Sequence, residues 1–552
     1  MPLNYRKNSV TCSTEYYSSV NDLNGPAVSQ TNRVGLQIGG QTKYIGLVNS
    51  NHEQASDLTV RAGNQNLRLA KKSKVIETSV FAWGGSGCFL GINSNSSPIT
   101  SPTLMCGSFF KCIYAGRIGL TNDNILYSWG CNNFGQLGDG TTINRCQPVL
   151  VCSACNFCYV TIGGVLSATV LAISTNNKLF GWGYNSSYLI GDETNVNKCI
   201  PTAICPLLNF CCAWIAGEVA YALTTNRKLY GWGLNTTVWS NMFLGMLGDG
   251  SVGAKCTPIQ ICPQLNITNF FTNFANPCQI NNFFITETNT LYGWGNNQSG
   301  TVGNSSVSQH IYTPALVCSS CSFCEVITTN FSTYGITTDN KLYSWGDNAN
   351  GRLGNNSITN TNSPTLVCGE YNFSKIVIGN DNVWALNCDN FLYAWGNNCL
   401  GQLGINSTTC VCVPTQVCGG KYFFIPSENN CRLSRTFNSC IMLAIREDKK
   451  LVGWGCNCCG VLGNGTINNS CIPVSVCCDY DYSCVVIQNS CFALGISNGS
   501  IYSWGSNANG TLGDGTTVDK CQPVKINNNC LFTKITTQFN SVFANSVTWL
   551  NG

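Results

Sequence analysis

The sequence predicts an all-β fold: about nine four-stranded repeat units closed into a β-propeller, preceded by a small β-rich module. Trp-Gly recurs at Trp83, Trp129, Trp182, Trp232, Trp294, Trp345, Trp395, Trp454 and Trp504, with gaps of 46, 53, 50, 62, 51, 50, 59 and 50 residues. That spacing belongs to propeller blades or solenoid coils. Each Trp closes a run of period two, which is strand periodicity. Each interval holds further short strands separated by tight turns, enough for one antiparallel blade.

The strand before each Trp is apolar on both sides. In Leu229-Tyr230-Gly231-Trp232 and Leu342-Tyr343-Ser344-Trp345 the aromatic and the Trp share one face, while the Leu and the small residue share the other. Such a strand is buried on both faces, and a bulky face opposite a thin one suits sheets stacked blade on blade. After the Trp, runs such as Asn132-Asn133-Phe134-Gly135-Gln136-Leu137-Gly138-Asp139-Gly140 supply Gly for positive φ and Asn or Asp for turns closed by their own side chains.

Taken in order, residues 1–74 lack the Trp-Gly template. They read as a separate β-rich adaptor, with short alternating segments at Val34–Ile38, Tyr44–Val48 and Leu58–Val60. The N-terminus carries no apolar run of signal-peptide length, and no stretch approaches a membrane span. The propeller takes residues 75–552. Its third interval lays out one blade: a turn at Leu189–Asp192, then strands at Pro201–Cys205, Trp214–Gly217, Tyr221–Thr224 and Leu229–Trp232. Pro148, Pro201, Pro258, Pro314, Pro364, Pro414, Pro473 and Pro523 recur at the first of these strands. Proline is tolerated at a strand start or an edge, so this strand belongs on the outside. The last segments, Phe532–Ile535, Val542–Ala544 and Val547–Trp549, follow the blade order and stop, so strands at the two ends of the chain are expected to complete one blade together.

The run from Trp129 to Gly140 resembles the repeat of the regulator of chromosome condensation family, and Trp395–Gly404 and Trp504–Gly515 are similar to it. The resemblance covers roughly residues 75 to 552 and implies a β-propeller, usually of seven blades in that family. The nine units counted here depart from that number, so seven to nine blades are expected. The family includes a guanine-nucleotide exchange factor for a small GTPase, ubiquitin-ligase modules and a secreted inhibitor of β-lactamases, so the resemblance marks fold more than function. One departure bears on chemistry. The family commonly has His just before its Ala-Leu strand, whereas the matching places here read Tyr221-Ala222-Leu223, Trp384-Ala385-Leu386 and Phe492-Ala493-Leu494.

Composition argues against enzymatic chemistry. Only His52 and His310 are present, too little for a His-based triad or a His-rich metal site. Asp139, Asp249 and Asp514 lie in Gly-Asp-Gly turns, where a carboxylate closing its own turn is favoured over a paired acid/base site. A calcium loop would need several alternating Asp, and Asn stands there in most repeats. No catalytic residue, metal site or cofactor is predicted. Charged residues are 10% of the chain and the net charge is +4. No basic arm appears beyond Lys71, Lys72 and Lys74, which argues against nucleic acid or an anionic membrane as partner.

Cysteine is the anomaly, with 37 in one chain. Cys146, Cys199, Cys256, Cys412, Cys471 and Cys521 lie two residues before the recurring Pro; Cys152, Cys205, Cys262, Cys418 and Cys477 lie six residues further on, and Cys158 and Cys211 six beyond that. Three uses stay open: disulfides stapling the outer strands, which the density favours; buried thiols acting as small hydrophobes; and metal, for which Cys152-x-x-Cys155-x-x-Cys158 and Cys318-x-x-Cys321-x-x-Cys324 have ligand-like steps but no second matched half.

These readings lead to a non-enzymatic binding protein with a propeller head, extracellular or on a virion surface. It would be docked to its particle or cell surface through residues 1–74 and would bind a protein or glycan through the propeller face. Tyr188, Trp239 and Phe243 are the candidate surface anchors, and homo-oligomerisation is left open. The alternative is a cytoplasmic exchange factor or scaffold for a small GTPase.

Overall fold

The computed structural model describes residues 75–549 apart from short interruptions, the longest at 273–279 and 425–432, together with strand segments at 33–38, 41–46, 59–62 and 65–68. Arg33–Ile38 pairs with Gln41–Gly46 and Thr59–Ala62 with Gln65–Arg68, each as an antiparallel hairpin. The rest of 1–74 lies outside the described residues.

From Val75 onward the described residues form nine antiparallel four-stranded blades. Blade 1 is Phe110–Tyr114, Ile118–Thr121, Leu126–Gly130 and Arg145–Leu150, hydrogen-bonded in that order. Blades 2 to 8 repeat the order, each with its Trp on the third strand. One long strand, Val411–Phe424, serves as fourth strand of blade 6 and first strand of blade 7. First strands of neighbouring blades pack on each other, as Phe157–Gly163 does on Phe210–Ala216, so they converge on an axis. The fourth strand is the free outer edge, and it carries Pro102, Pro148, Pro201, Pro258, Pro314, Pro364, Pro414, Pro473 or Pro523. A proline there blocks edge-to-edge pairing with another chain.

The ring closes through the two ends of the chain, as the sequence led us to expect. Blade 9 is Leu531–Gln538, Ser541–Trp549, Val75–Gly84 and Ile99–Leu104, with Ser541 opposite Gly84 and Trp549 opposite Val75. Asn545 Nδ2 then donates to the Phe110 carbonyl of blade 1 at 2.9 Å.

Every junction between blades is built alike. Trp182 of blade 2 is fully buried in a cluster with Leu126 and Val151 of blade 1, and Trp232 is likewise clustered with Leu179, Trp294 with Leu229 and Trp345 with Leu291. The bulky face of one blade thus lies on the Leu face of the one before it. Each Trp indole also donates to a carbonyl in the preceding blade's third-to-fourth connection: Trp182 to Gln136 at 3.1 Å, Trp345 to Thr301 at 2.9 Å and Trp504 to Val461 at 2.8 Å. Trp129 donates to Phe89 and Trp83 to Thr511, so the series of nine runs round the ring. The indole lies over a glycine of that connection. A Cβ on Gly138, whose φ is +70°, would stand 2.8 Å from Trp182 Nε1.

Three residues after the Trp, a buried Asn organises the connection. Asn132 Nδ2 donates to the carbonyls of Thr141 (2.9 Å) and Ile143 (3.1 Å), and its Oδ1 accepts from the Leu137 amide at 2.9 Å. Asn185, Asn348, Asn398, Asn457 and Asn507 accept from the amide five residues on in the same way. No described helix is long and apolar enough to cross a membrane.

Candidate binding face

Antiparallel order puts the first-to-second and third-to-fourth connections of every blade on one end of the ring. All of the lengthening of the repeat falls on that end. The third-to-fourth connection has 14 residues in blades 1 and 2 but 21 in blade 3, between Gly233 and Lys255. The first-to-second connection has 2 to 5 residues in most blades, 8 in blade 4 (273–280) and 16 in blade 7 (425–440). These insertions account for the long Trp intervals of 62 and 59 residues. The blade 7 insertion places Leu433–Arg435 parallel to Ile376–Ile378, adding a strand to the axial edge of blade 6. Connections of this kind, carried on a rigid scaffold, are where binding residues concentrate.

Aromatic side chains lie in the same connections around one arc. Phe89 of blade 9 is 41% exposed. Phe134 of blade 1 and Tyr184 of blade 2 are half-buried and meet edge to face, with centroids 5.2 Å apart. Tyr188 is half-buried, with φ +60°, at the position held by Gly135 in blade 1, where a Cβ would stand 2.7 Å from Cys199 Cα. A tyrosine held in the left-handed region is uncommon, and such backbone strain clusters at functional sites. Trp239 lies outside the described residues. Phe243 falls in Ser240–Leu244, which pairs with Thr236–Thr237.

Further round the same end, Arg352 is 5% exposed between blades 5 and 6. Its Nη2 lies 2.9 Å from Asp381 Oδ1 and 3.9 Å from Asp347 Oδ1, Nε donates to the Ala349 carbonyl at 3.1 Å, and the guanidinium sits 5.3 Å from the Phe331 ring centroid. On the axial strand of blade 6, burial lowers the Lys375 ammonium pKa to about 8. Nothing in the repeat pattern signalled either cation.

The turn aspartates are occupied structurally. Asp139 accepts from the Thr141 amide and hydroxyl at 3.0 and 2.8 Å and pairs with Arg145 at 2.8 Å. Burial opposes its charge, yet the hydrogen bonds from Thr141 and Arg145 outweigh that and hold the carboxyl below its usual range. Asp249 and Asp514 do the same with Ser251 and Lys255, and with Thr516 and Lys520. Asp192 with Thr194 and Lys198 is a fourth case. At two of the places where the resemblance led us to expect His, Tyr221 and Trp384 donate to the Met246 and Gln402 carbonyls, the same oxygens that receive Trp294 and Trp454. Tyr334, in the same register in blade 5, donates to the Arg352 carbonyl beside Trp395. Phe492 is not their counterpart, since it stands opposite Gly505 and Leu494 takes the equivalent place opposite Ser503.

The three cysteine positions have three settings. Cys199, Cys256, Cys412, Cys471 and Cys521 lie on or at the start of outer strands, most of them against the preceding connection, as a Cβ on Gly460 would stand 2.8 Å from Cys521 Cβ. Cys146, in the same position, is bridged to Cys88 of blade 9. Cys205, Cys262 and Cys477 follow the outer strand, Cys418 lies within the long strand Val411–Phe424, and burial raises the thiol pKa of Cys205 and Cys262. Cys152 is bridged to Cys155, and Cys318 to Cys321. Cys158 and Cys211 sit at a bulge of the first strand and donate to two carbonyls of the second, Cys158 to Ile173 at 3.5 Å and Ser174 at 3.4 Å. Thr268, Ser374 and Ser483 make that bond with hydroxyls in blades 4, 6 and 8. Among the described residues no group of three or more His, Cys, Asp or Glu side chains could hold a metal ion.

The family model for the regulator of chromosome condensation (RCC1) repeat matches residues 123–170, 339–386, 389–425 and 498–536. The chain carries RCC1 repeats. Each matched repeat of this kind begins near the third strand of one blade and runs into the next, so it includes the Trp and the Asn-centred connection. Among proteins carrying related sequence, the ultraviolet-B receptor UVR8 of Arabidopsis thaliana is 32% identical over 103 residues, which cover 18% of this chain and 23% of that protein. The mitochondrial RCC1 domain-containing protein RUG3 of the same plant is 28% identical over 119 residues, 21% of this chain and 25% of that protein. The matches thus span about a quarter of the length of these relatives. Among solved structures, human WBSCR16 aligns with 67% of this chain and 98% of its own at 17% identity and a TM-score of 0.42. Prp20p of Saccharomyces cerevisiae aligns with 87% of this chain and 93% of its own at 16% identity and a TM-score of 0.43.

Proposed function

We propose that this RCC1-repeat propeller is a non-enzymatic, intracellular scaffold that binds a protein partner on the end of the ring carrying the third-to-fourth connections. The observation that carries the reading is the grouping of every lengthened connection on that one end, beside the arc of Phe89, Phe134, Tyr184 and Tyr188. Aromatic side chains presented on a rigid frame are the usual anchors of protein interfaces. Between the described strands of the propeller, the opposite end carries tight turns and short connections, and Val75, where residues 1–74 join, starts from that end.

The cytoplasmic alternative is preferred to a displayed head because the cysteine load was the main support for export. Thiols that replace threonine and serine at the strand bulges, and cysteines that fit against neighbouring glycines, have a use in a reducing compartment. A mitochondrial relative points the same way. Docking through residues 1–74, a glycan ligand and stapling by the candidate cysteines remain parts of the competing reading.

Two experiments test the proposal. Photo-crosslinking from positions 134 and 188 in the native cell should trap a protein, and F134A with Y184A should lose it while K178A on the opposite end keeps it. Capture from the opposite end alone contradicts the reading. Peptide mapping of natively purified, thiol-blocked protein should find Cys158, Cys199, Cys211, Cys256, Cys412 and Cys471 alkylated. Bridges at most of them would return the protein to an oxidising location.

A further inference from the structure

We propose that the two Cys-x-x-Cys turns, Cys152–Cys155 and Cys318–Cys321, are a matched pair of reversible thiol–disulfide exchange sites that react with low-molecular-weight thiols and disulfides of the glutathione class. Both lie between an outer strand and the first strand of the following blade, after blades 1 and 4, and both are bridged. In each, the two residues between the cysteines are exposed: Ser153 and Ala154, Ser319 and Ser320. The four cysteines are half-buried beside them, open enough for the approach of a small reagent that exchange through a mixed disulfide requires.

Two further observations separate these turns from structural staples. The loop closed is the shortest of the described bridges, with a separation of 3 residues against 58 for Cys88–Cys146. Restriction of the unfolded chain grows with the logarithm of loop length, so these bonds are the least protected against reduction. The fold also manages the same turn without them. After blades 2 and 3 the turn is closed by the Leu208 amide donating to the Cys205 carbonyl at 2.9 Å and the Leu265 amide to the Cys262 carbonyl at 3.0 Å. Leu208 and Leu265 pack on the core there, as Cys155 and Cys321 do in their own turns. Opening the bridge leaves a packed turn, so the couple can cycle without cost to the ring. The third cysteine of each motif, Cys158 or Cys324, is engaged with two backbone carbonyls and stays out of the exchange.

The step balances. One thiolate of the reduced pair attacks a sulfur of oxidised glutathione and releases one glutathione thiolate. The second then attacks the mixed disulfide and releases the other. The protein pair loses two electrons and two protons, and one disulfide becomes two thiols. In excess reduced glutathione the sequence runs backwards.

The test equilibrates the full chain in glutathione buffers from fully reduced to fully oxidised, quenches with acid, blocks thiols and maps peptides. The expected result is reversible interconversion of both pairs over the same range of buffer composition. The melting temperature should move by less than about 3 degrees between the two states, as the loss of a short-loop constraint in a large domain implies. The double variant C155S/C321S should melt alike and leave Cys152 and Cys318 capped by one glutathione each. Pairs that stay as dithiols in oxidised buffer, bridges that form to Cys158 or Cys324 instead, or a fall of more than ten degrees on reduction would each overturn the proposal.

Discussion

The indole of Trp83 donates to the carbonyl of Thr511 at 2.9 Å across 428 residues of sequence. It is the same bond that Trp182 makes to Gln136 across 46. The junction between the ends of the chain is therefore chemically like those within it. A ring of equivalent junctions has no weak seam, provided that blade 9 keeps both of its halves.

The Asn-centred connection gives the first prediction. Asn507 accepts from the Leu512 amide at 2.9 Å and donates to Thr516, Val518 and Asp514. N507A strands the buried Leu512 amide, worth about 1–3 kcal/mol when left unsatisfied, and loses the part-buried bonds to Thr516, Val518 and Asp514. It should destabilise the protein by roughly 2–4 kcal/mol. Denaturant melts of N507A beside N509A, the exposed residue two further on, measure the difference.

Acid stability is the second. The carboxyl pKa values of Asp139, Asp192, Asp249 and Asp514 are lowered from 3.8 in the fold. A depressed pKa means that the folded state binds fewer protons than the unfolded one. The stabilisation is therefore complete above the unfolded value and is lost as pH falls below it. Unfolding free energy should be level near neutrality and drop below about pH 4. Asn464 accepts from the Thr466 amide and hydroxyl in the equivalent turn of blade 7. Replacing all four aspartates by Asn should therefore keep the bonds from the turn amides but remove the charge-dependent stabilisation. Stability at pH 7 should fall toward the level the parent reaches in acid and the acid limb should flatten, read from pH-dependent melts.

The third concerns Arg352. Gln136 and Gln402 stand at its position in blades 1 and 6 and turn back on their own connections, accepting from the Phe134 and Leu400 amides at 2.8 and 2.7 Å. R352Q gives up the ties to Asp381, Asp347 and the Ala349 carbonyl and the Phe331 contact, but a Gln turned back on its own connection replaces part of them, so its cost should stay near about 1 kcal/mol. R352L, which leaves Asp347 and Asp381 facing an apolar side chain, should cost about 1–2 kcal/mol more than R352Q. Equilibrium unfolding of the two variants side by side decides it.

The parts of the structure that repeat were legible in the sequence. Trp-Gly spacing gave nine units with seven to nine blades left open, Leu opposite Trp gave the junction packing, and Pro148 and its equivalents gave the outer edge. The interval from Trp182 to Trp232, expected to be one blade, is divided between two, because Lys198–Ile204 pairs with Leu179–Gly183 and the blade of Phe210–Ala216 takes Lys255–Ile261 as its outer strand. Strands at both ends of the chain gave the closure. The acceptors of the Trp indoles were not legible, because a backbone carbonyl serves equally under Gln136, Leu189, Met246 or Arg352 and leaves no mark on residue type. Arg352 with Asp381 occurs once, so no periodicity exposes it. The bulge cysteines were visible as a position, but their exchangeability with Thr268 and Ser374 emerged only when strand register aligned them. The grouping of the insertions on one end needed topology, since the long intervals after Trp232 and Trp395 say how much is added and not where it points.

Closure of the ring is the claim on which the rest stands, because the binding face exists as one surface only if blade 9 is complete. Its most direct measurement is the thermal melt of a chain ending at Asn540, which lacks Ser541–Trp549 and so the strand that joins the end of the chain to Val75–Gly84. The account predicts a large fall in melting temperature or aggregation through the exposed edges, with the loss reversed by supplying residues 541–552 as a peptide. An unchanged melting curve for the shortened chain would contradict it.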